Sequence, residues 1–171
     1  MRSRSSRNDW PDLARLDLPP TTDALQLWSQ IVGKVRLMTT PWINHSWHAT
    51  LYLSARGFTT GLMELGARSF EMEFDLLGDV VRIEAADGEA RRVGLGPQSV
   101  AAFHDATMRA LGELGLAVEI CGVPSEIPNA LPFREDHAPR AYDGDTARAY
   151  WRAMLQVRRP WAAESAGHWA T

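Results

Sequence analysis

Phe70-Glu71-Met72-Glu73-Phe74-Asp75-Leu76 alternates apolar and acidic residues without a break. Successive side chains of a strand point to opposite faces. The period therefore sends Phe70, Met72, Phe74 and Leu76 to a core and Glu71, Glu73 and Asp75 away from it. Carboxylates at alternate positions can also divide general acid and base roles. The solvated outer face of a half-buried sheet is the simpler reading.

Turn signals flank this strand on both sides. Gly78-Asp79 turns the chain into a strand from Val80 to Ala85. Asp87-Gly88 then reads as a type I′ hairpin, whose two central residues need positive φ, leading into Arg91 to Leu95. In the other direction, Gly66-Ala67 leads back to a weaker strand over Phe58 to Leu65, with Gly61 as a candidate bulge. Before Gly57, Trp47, Ala49, Leu51, Leu53 and Ala55 point one way and His48, Thr50, Tyr52, Ser54 and Arg56 the other. These readings add up to a five-strand antiparallel meander.

Helices flank the meander. Ala24, Trp28, Ile31, Val35 and Met38 recur at helical spacing, with Leu25, Leu27 and Val32 widening the stripe and Gln26, Gln30, Lys34 and Arg36 largely off it. Thr22 or Asp23 can cap this helix, and Pro41 stops it. Pro97 suits the first turn of a second helix, where its missing donor costs nothing. Val100, Phe103, Thr107, Leu111 and Leu114 form the buried stripe of that helix, and Gly115 ends it. Leu116, Val118 and Ile120 alternate into a sixth strand. A Pro-rich stretch over 122–142 is long for a loop, a length that is often functional or disordered. A last helix begins near Asp143 or Asp145, with Tyr150, Trp151, Met154, Leu155 and Trp161 on its apolar side. The fold class expected is α+β: a mostly antiparallel sheet of about six strands with helices packed on one face.

At 171 residues the chain is long enough for one core of ordinary size. Residues 1–20 read as a flexible N-terminal arm, 21–160 as a single domain and 161–171 as a C-terminal tail. A net charge of -3 speaks against a general nucleic-acid or anionic-membrane binder. The single cysteine, Cys121, excludes an intramolecular disulfide, and no secretory signal or membrane-length apolar run is visible. A cytoplasmic protein is expected.

Several motifs occur together in a specific order. They are Trp10-Pro11-x-Leu13, Trp28-x-Gln30-Ile31-Val32-Gly33-Lys34, Asn44-His45-x-Trp47-His48 and Ala55-Arg56-Gly57-x-Thr59-Thr60. To these add Phe70-Glu71-x-x-Phe74-Asp75, Pro124-x-Glu126-Ile127-Pro128 and Pro132-Phe133. Over residues 10 to 158 the pattern resembles an uncharacterised bacterial family of unknown function. The resemblance implies a domain of that family and carries no activity with it. It also implies a longer family chain, roughly as long again, so that this chain looks like a short version lacking the second half.

Chemistry-bearing residues concentrate around the first helix and strand: Gln30, Lys34, Trp42, Asn44, His45, His48 and Arg56. The favoured expectation is a small-ligand-binding or protein-interaction module that gathers these side chains beside the Pro-rich loop. The alternative is an enzyme, hydrolytic or metal-dependent, in which His45, His48, Arg56 and a carboxylate converge. Two imidazoles and a carboxylate suffice for a catalytic metal, but three-residue spacing on a strand tends to send the imidazoles to opposite faces. No cofactor is indicated. Gly94-Leu95-Gly96-Pro97 fails as a phosphate loop, because no Gly-Lys-Ser/Thr follows and proline removes an amide. A homodimer through Trp151, Met154 and Trp161 is a further expectation, since an exposed apolar helix face tends to be covered by a partner.

Overall fold

In a computed structural model of the chain, residues 10–40, 51–125 and 127–167 are described, those from 159 on as backbone only. The fold is α+β, with an antiparallel sheet whose strands run in chain order: β1 (Tyr52–Leu53), β2 (Gly57–Leu65), β3 (Arg68–Asp75), β4 (Val80–Ala85) and β5 (Ala90–Gly94). This is the meander that the alternation predicts. Phe70, Met72 and Phe74 are buried on one face and pair with Ala85, Ile83 and Val81 of β4. The register slips between Thr59 and Leu62, where Gly61 has a φ of +66°. The buried Thr60 hydroxyl stitches this bulge by accepting from the Met72 amide at 3.0 Å. The Trp47–Thr50 part of the expected first strand lies outside the described residues.

The β4–β5 connection differs from the expected type I′ turn. Only Gly88 has a positive φ (+93°). Its amide donates to Ala85 O at 3.0 Å, and the Ala85 amide donates to Glu89 O at 2.9 Å. That is a type I turn closed by a glycine bulge, which keeps the strand twist with one left-handed residue instead of two.

Helix α1 (Leu18–Thr39) starts four residues before the expected cap. Pro19 and Pro20 fall in the first turn, where the missing amides have no intrahelical role. Thr22 hydrogen-bonds back to Leu18 O at 3.0 Å instead of capping. The helix ends before Pro41 with Thr40 extended, as the restriction on residues preceding proline requires.

Ala24, Trp28, Ile31 and Val35 are fully buried, but Met38 is 56 % exposed. Lys34 and Arg36, expected off the stripe, are buried. The reason is that α1 is covered on more than one side, touching β2 and both later helices.

Helix α2 (Val100–Glu113) carries the predicted stripe, and Val100, Phe103, Thr107, Leu111 and Leu114 are all buried. Ser99, not Pro97, opens the helix, its hydroxyl accepting from the Ala102 amide at 3.1 Å. Phe103 stacks on Trp28 of α1 at 5.2 Å and on Phe74 of β3 at 6.4 Å, so one ring joins both helices to the sheet.

Residues 116–120 form no strand. Their alternation reflects burial of Leu116 and part-burial of Val118 and Ile120 against the core without a ladder partner. The extra strands are β6 (Gln98–Ser99) and β7 (Pro139–Arg140), paired with each other in a two-stranded sheet.

The Pro-rich stretch is built into the core. Phe133 is fully buried and stacks on His104 of α2 at 6.1 Å, and its amide donates to Gly122 O at 2.7 Å.

Helix α3 (Gly144–Gly167) opens as expected, with Asp143 accepting from the Thr146 amide at 2.7 Å. It runs past the boundary expected at 160. Trp151 is buried in this chain's own core, its indole donating to Ser54 O at 3.3 Å. Among the described residues no helix is long and apolar enough to cross a membrane.

Candidate functional site

Of the seven expected site residues, Trp42, Asn44, His45 and His48 lie outside the described residues. Gln30 and Lys34 are brought together, one helical turn apart, on the same target. Gln30 Oε1 accepts from the Ser125 amide at 2.6 Å, and its Nε2 donates to Ser125 O at 3.1 Å. Lys34 Nζ donates to Ser125 Oγ at 3.0 Å. Both side chains thus lie beside the Pro-rich loop, as expected, and both are occupied in fastening it to α1.

Arg56 belongs to a different network. Its guanidinium pairs with Asp75 Oδ2 at 2.7 Å. Ser54 Oγ accepts from the amides of Arg56 and Gly57, shaping the turn between β1 and β2. Asp75 is the exception to the outward-facing acidic row, because its side chain is buried at the strand end. Burial pushes its carboxyl up, but the Arg56 hydrogen bond and charge, with the Gly78 and Leu77 amides, outweigh that and hold it below its ordinary value. Glu71 and Glu73 do face outward. Thr59 donates to Glu71, and Ser54 donates to Glu73 at 2.7 Å, with Arg82 close by.

A third polar cluster ties the start of α3 to the β3–β4 turn. Tyr142 donates to Asp79 Oδ1 at 2.9 Å, and Arg148 pairs with Asp79 at 3.0 Å and Asp145 at 2.8 Å. Burial and the Asp79 carboxylate push the Tyr142 phenol well above its ordinary value, so it stays a donor. Gly144 is needed here, since a Cβ would lie 2.6 Å from Asp79 Oδ1. Among the described residues no three of His, Cys, Asp or Glu approach closely enough to hold a metal ion.

A concave surface lies elsewhere among the described residues. A groove of about 500 Å³ runs between β5 and α2, lined by Arg91, Arg92, Gly94, Gln98, Arg109 and Glu113 among others. Arg91 is neutralised by Glu113 at 3.0 Å. Arg92 and Arg109 are exposed and have no ion pair among the described residues.

Strand β5 is the edge of its sheet. Bonding alternates along an antiparallel pair. The Ala85–Glu89 and Leu95–Asp79 bonds set the phase, so Arg91 and Val93 bond inward to β4, whereas Ala90, Arg92 and Gly94 turn outward. Arg91 Nη1 donates to Ala90 O at 2.9 Å, and Gln98 Nε2 donates to Gly94 O at 2.8 Å. The amides of Ala90, Arg92 and Gly94 and the Arg92 carbonyl have no partner among the described residues.

Gly94-Leu95-Gly96-Pro97, which fails as a phosphate loop, instead forms part of this groove wall. The sequence signal for the groove is the pair Arg91-Arg92 on the last strand of a meander, an edge unless the chain returns to cover it.

A family model described as "Family of unknown function (DUF5996)" matches residues 10–168. The chain belongs to this family. No curated protein and no solved structure matches it. This is a family of unknown function, as the resemblance implied, and membership brings no activity, so function must be argued from the site.

Proposed function

We propose that this member of the family is a binding module and that its site is the groove between β5 and α2, which takes an anionic partner. The observation that carries this reading is the pair of exposed guanidiniums that flank the groove, Arg109 on its α2 wall and Arg92 on the outer face of β5, neither with a carboxylate partner among the described residues. A guanidinium presents a rigid fork of donors that matches carboxylate and phosphate geometry, and two flanking a cleft from either side raise the local concentration of anions. The groove's volume is in the range of about 300–1,000 Å³ usual for ligand sites.

The enzymatic alternative has weaker support. Arg56 and Asp75 neutralise each other, Tyr142 is held protonated, and Gln30 and Lys34 fasten a loop. A homodimer through the last helix loses one of its expected anchors, because Trp151 is buried at home. A reducing cytoplasm suits the single exposed thiol, Cys121.

Calorimetric titration with poly-L-glutamate tests the reading. Binding is expected for the native chain, weakening as salt rises. The double variant Arg92→Ala/Arg109→Ala should lose at least about tenfold in affinity with its melting temperature unchanged, since exposed positions away from special contacts contribute little to stability. Equal affinity in the two chains would overturn it.

A further inference from the structure

Resting on that reading, we infer that the partner is an extended acidic segment of another protein, which adds to β5 as a further antiparallel or parallel strand. Strand addition requires an open edge with backbone groups to bond and neighbouring surfaces that read alternate side chains. The β5 edge supplies the first: the amides of Ala90, Arg92 and Gly94 point outward, with the Arg92 carbonyl between them. The carbonyls of Ala90 and Gly94 already accept from Arg91 and Gln98. The edge is therefore richer in donors than acceptors, and it favours a partner that brings carbonyls and carboxylates.

The second requirement is met on the two faces of the incoming strand. On the outer face of the sheet, its side chains come level with Arg92. On the inner face they meet Ala106 and Ala110 of α2, with Arg109 alongside. A segment alternating acidic and small apolar residues fits both.

The arginines also exclude the nearest competitors. A second copy paired edge to edge through β5 in the register centred on Arg92 would set Arg92 against Arg92, and like charges directly opposite are destabilising. The chain's own first residues carry Arg2, Arg4 and Arg7 and do not complement the groove. Charged residues on an edge are also the usual guard against promiscuous pairing, which an acidic strand, unlike a neutral or basic one, overcomes.

The test uses a fluorescein-labelled peptide, Glu-Val-Glu-Val-Glu-Val-Glu, with poly-L-glutamate in parallel. The native chain is expected to bind the peptide, and amide hydrogen exchange at Ala90, Arg92 and Gly94 should slow at least about tenfold in the complex. Gly94→Pro removes one outward donor and keeps every arginine. A side chain at Gly94 meets nothing within 4 Å, and proline is tolerated on edge strands. This variant should lose at least about tenfold in peptide affinity and keep its affinity for poly-L-glutamate.

Peptide binding that leaves the three amides unprotected would overturn strand addition. So would poly-L-glutamate binding without peptide binding, which leaves the anion-binding groove standing. Failure of both ligands removes the groove reading itself.

Discussion

Gln30 grips Ser125 through both atoms of its amide, Oε1 accepting from the serine amide at 2.6 Å and Nε2 donating to the serine carbonyl at 3.1 Å. The two residues are 95 positions apart. This side-chain mimic of a strand pair holds the Pro-rich stretch against α1, with Lys34 adding a third bond from the next turn.

Gln30→Ala should therefore destabilise the fold by about 1–2 kcal/mol, two hydrogen bonds at roughly 0.5–1.5 kcal/mol each, partly offset by solvent. Its clearest effect should be local. Limited proteolysis is expected to cut first within residues 122–132 in the variant, and a native-like digestion pattern would contradict the clasp.

The Arg56–Asp75 pair makes stability depend on pH in a defined direction. The Asp75 carboxyl titrates below its ordinary value in the folded chain, so its contribution is present above the unfolded pKa of about 3.9 and is lost as pH falls through the folded value. Asp75→Asn should be less stable than the native chain at pH 7, and the gap should close as the medium is acidified below about pH 4. Urea midpoints measured from pH 7 to pH 2.5 check this; a gap that widens in acid would contradict it.

Two glycines should respond oppositely to the same change. A Cβ on Gly57 would sit 2.0 Å from Phe74 O, backbone that cannot swing aside, whereas at Gly96 nothing lies within 4 Å. Gly57→Ala is expected to cost more than about 2 kcal/mol, in the range of severe single substitutions, and Gly96→Ala to stay within about 0.5 kcal/mol. Thermal unfolding of the two variants side by side decides it.

Trp151 provides a test of where α3 spends its apolar face. Buried in its own chain and bonded to Ser54 O, it should cost about 3–5 kcal/mol when cut to alanine, by loss of transfer energy and by the cavity left behind. The loss should be independent of protein concentration. A midpoint that falls further on dilution would restore Trp151 to an interface.

The meander was legible because alternation, glycine turns and short connections agree, and each is a local property. The α2 stripe was legible for the same reason. Residues 116–120 show the limit of that reasoning. Alternation reports a segment with one side buried, and the surface that buries it need not be a neighbouring strand.

Lys34 and Arg36 failed for a related reason. Helical period locates the most apolar face, but α1 is also covered by a loop from 91 residues away in the case of Lys34, which no local pattern encodes. The Pro-rich stretch looked loose from its composition, whereas Phe133 pins it to His104 and the core. Of the candidate site, Gln30, Lys34 and Arg56 are legible as polar groups that need partners, and the fold gives them Ser125 and Asp75. The arginine groove escaped because it depends on which strand ends the sheet.

The most direct measurement is an amide shift map of the ¹⁵N-labelled chain titrated with poly-L-glutamate. The account predicts that the largest shifts fall on Arg91 to Gln98 and on Ala106 to Glu113, the two walls of the groove. Shifts concentrated instead on Trp42 to His48, or spread evenly over the surface, would contradict it.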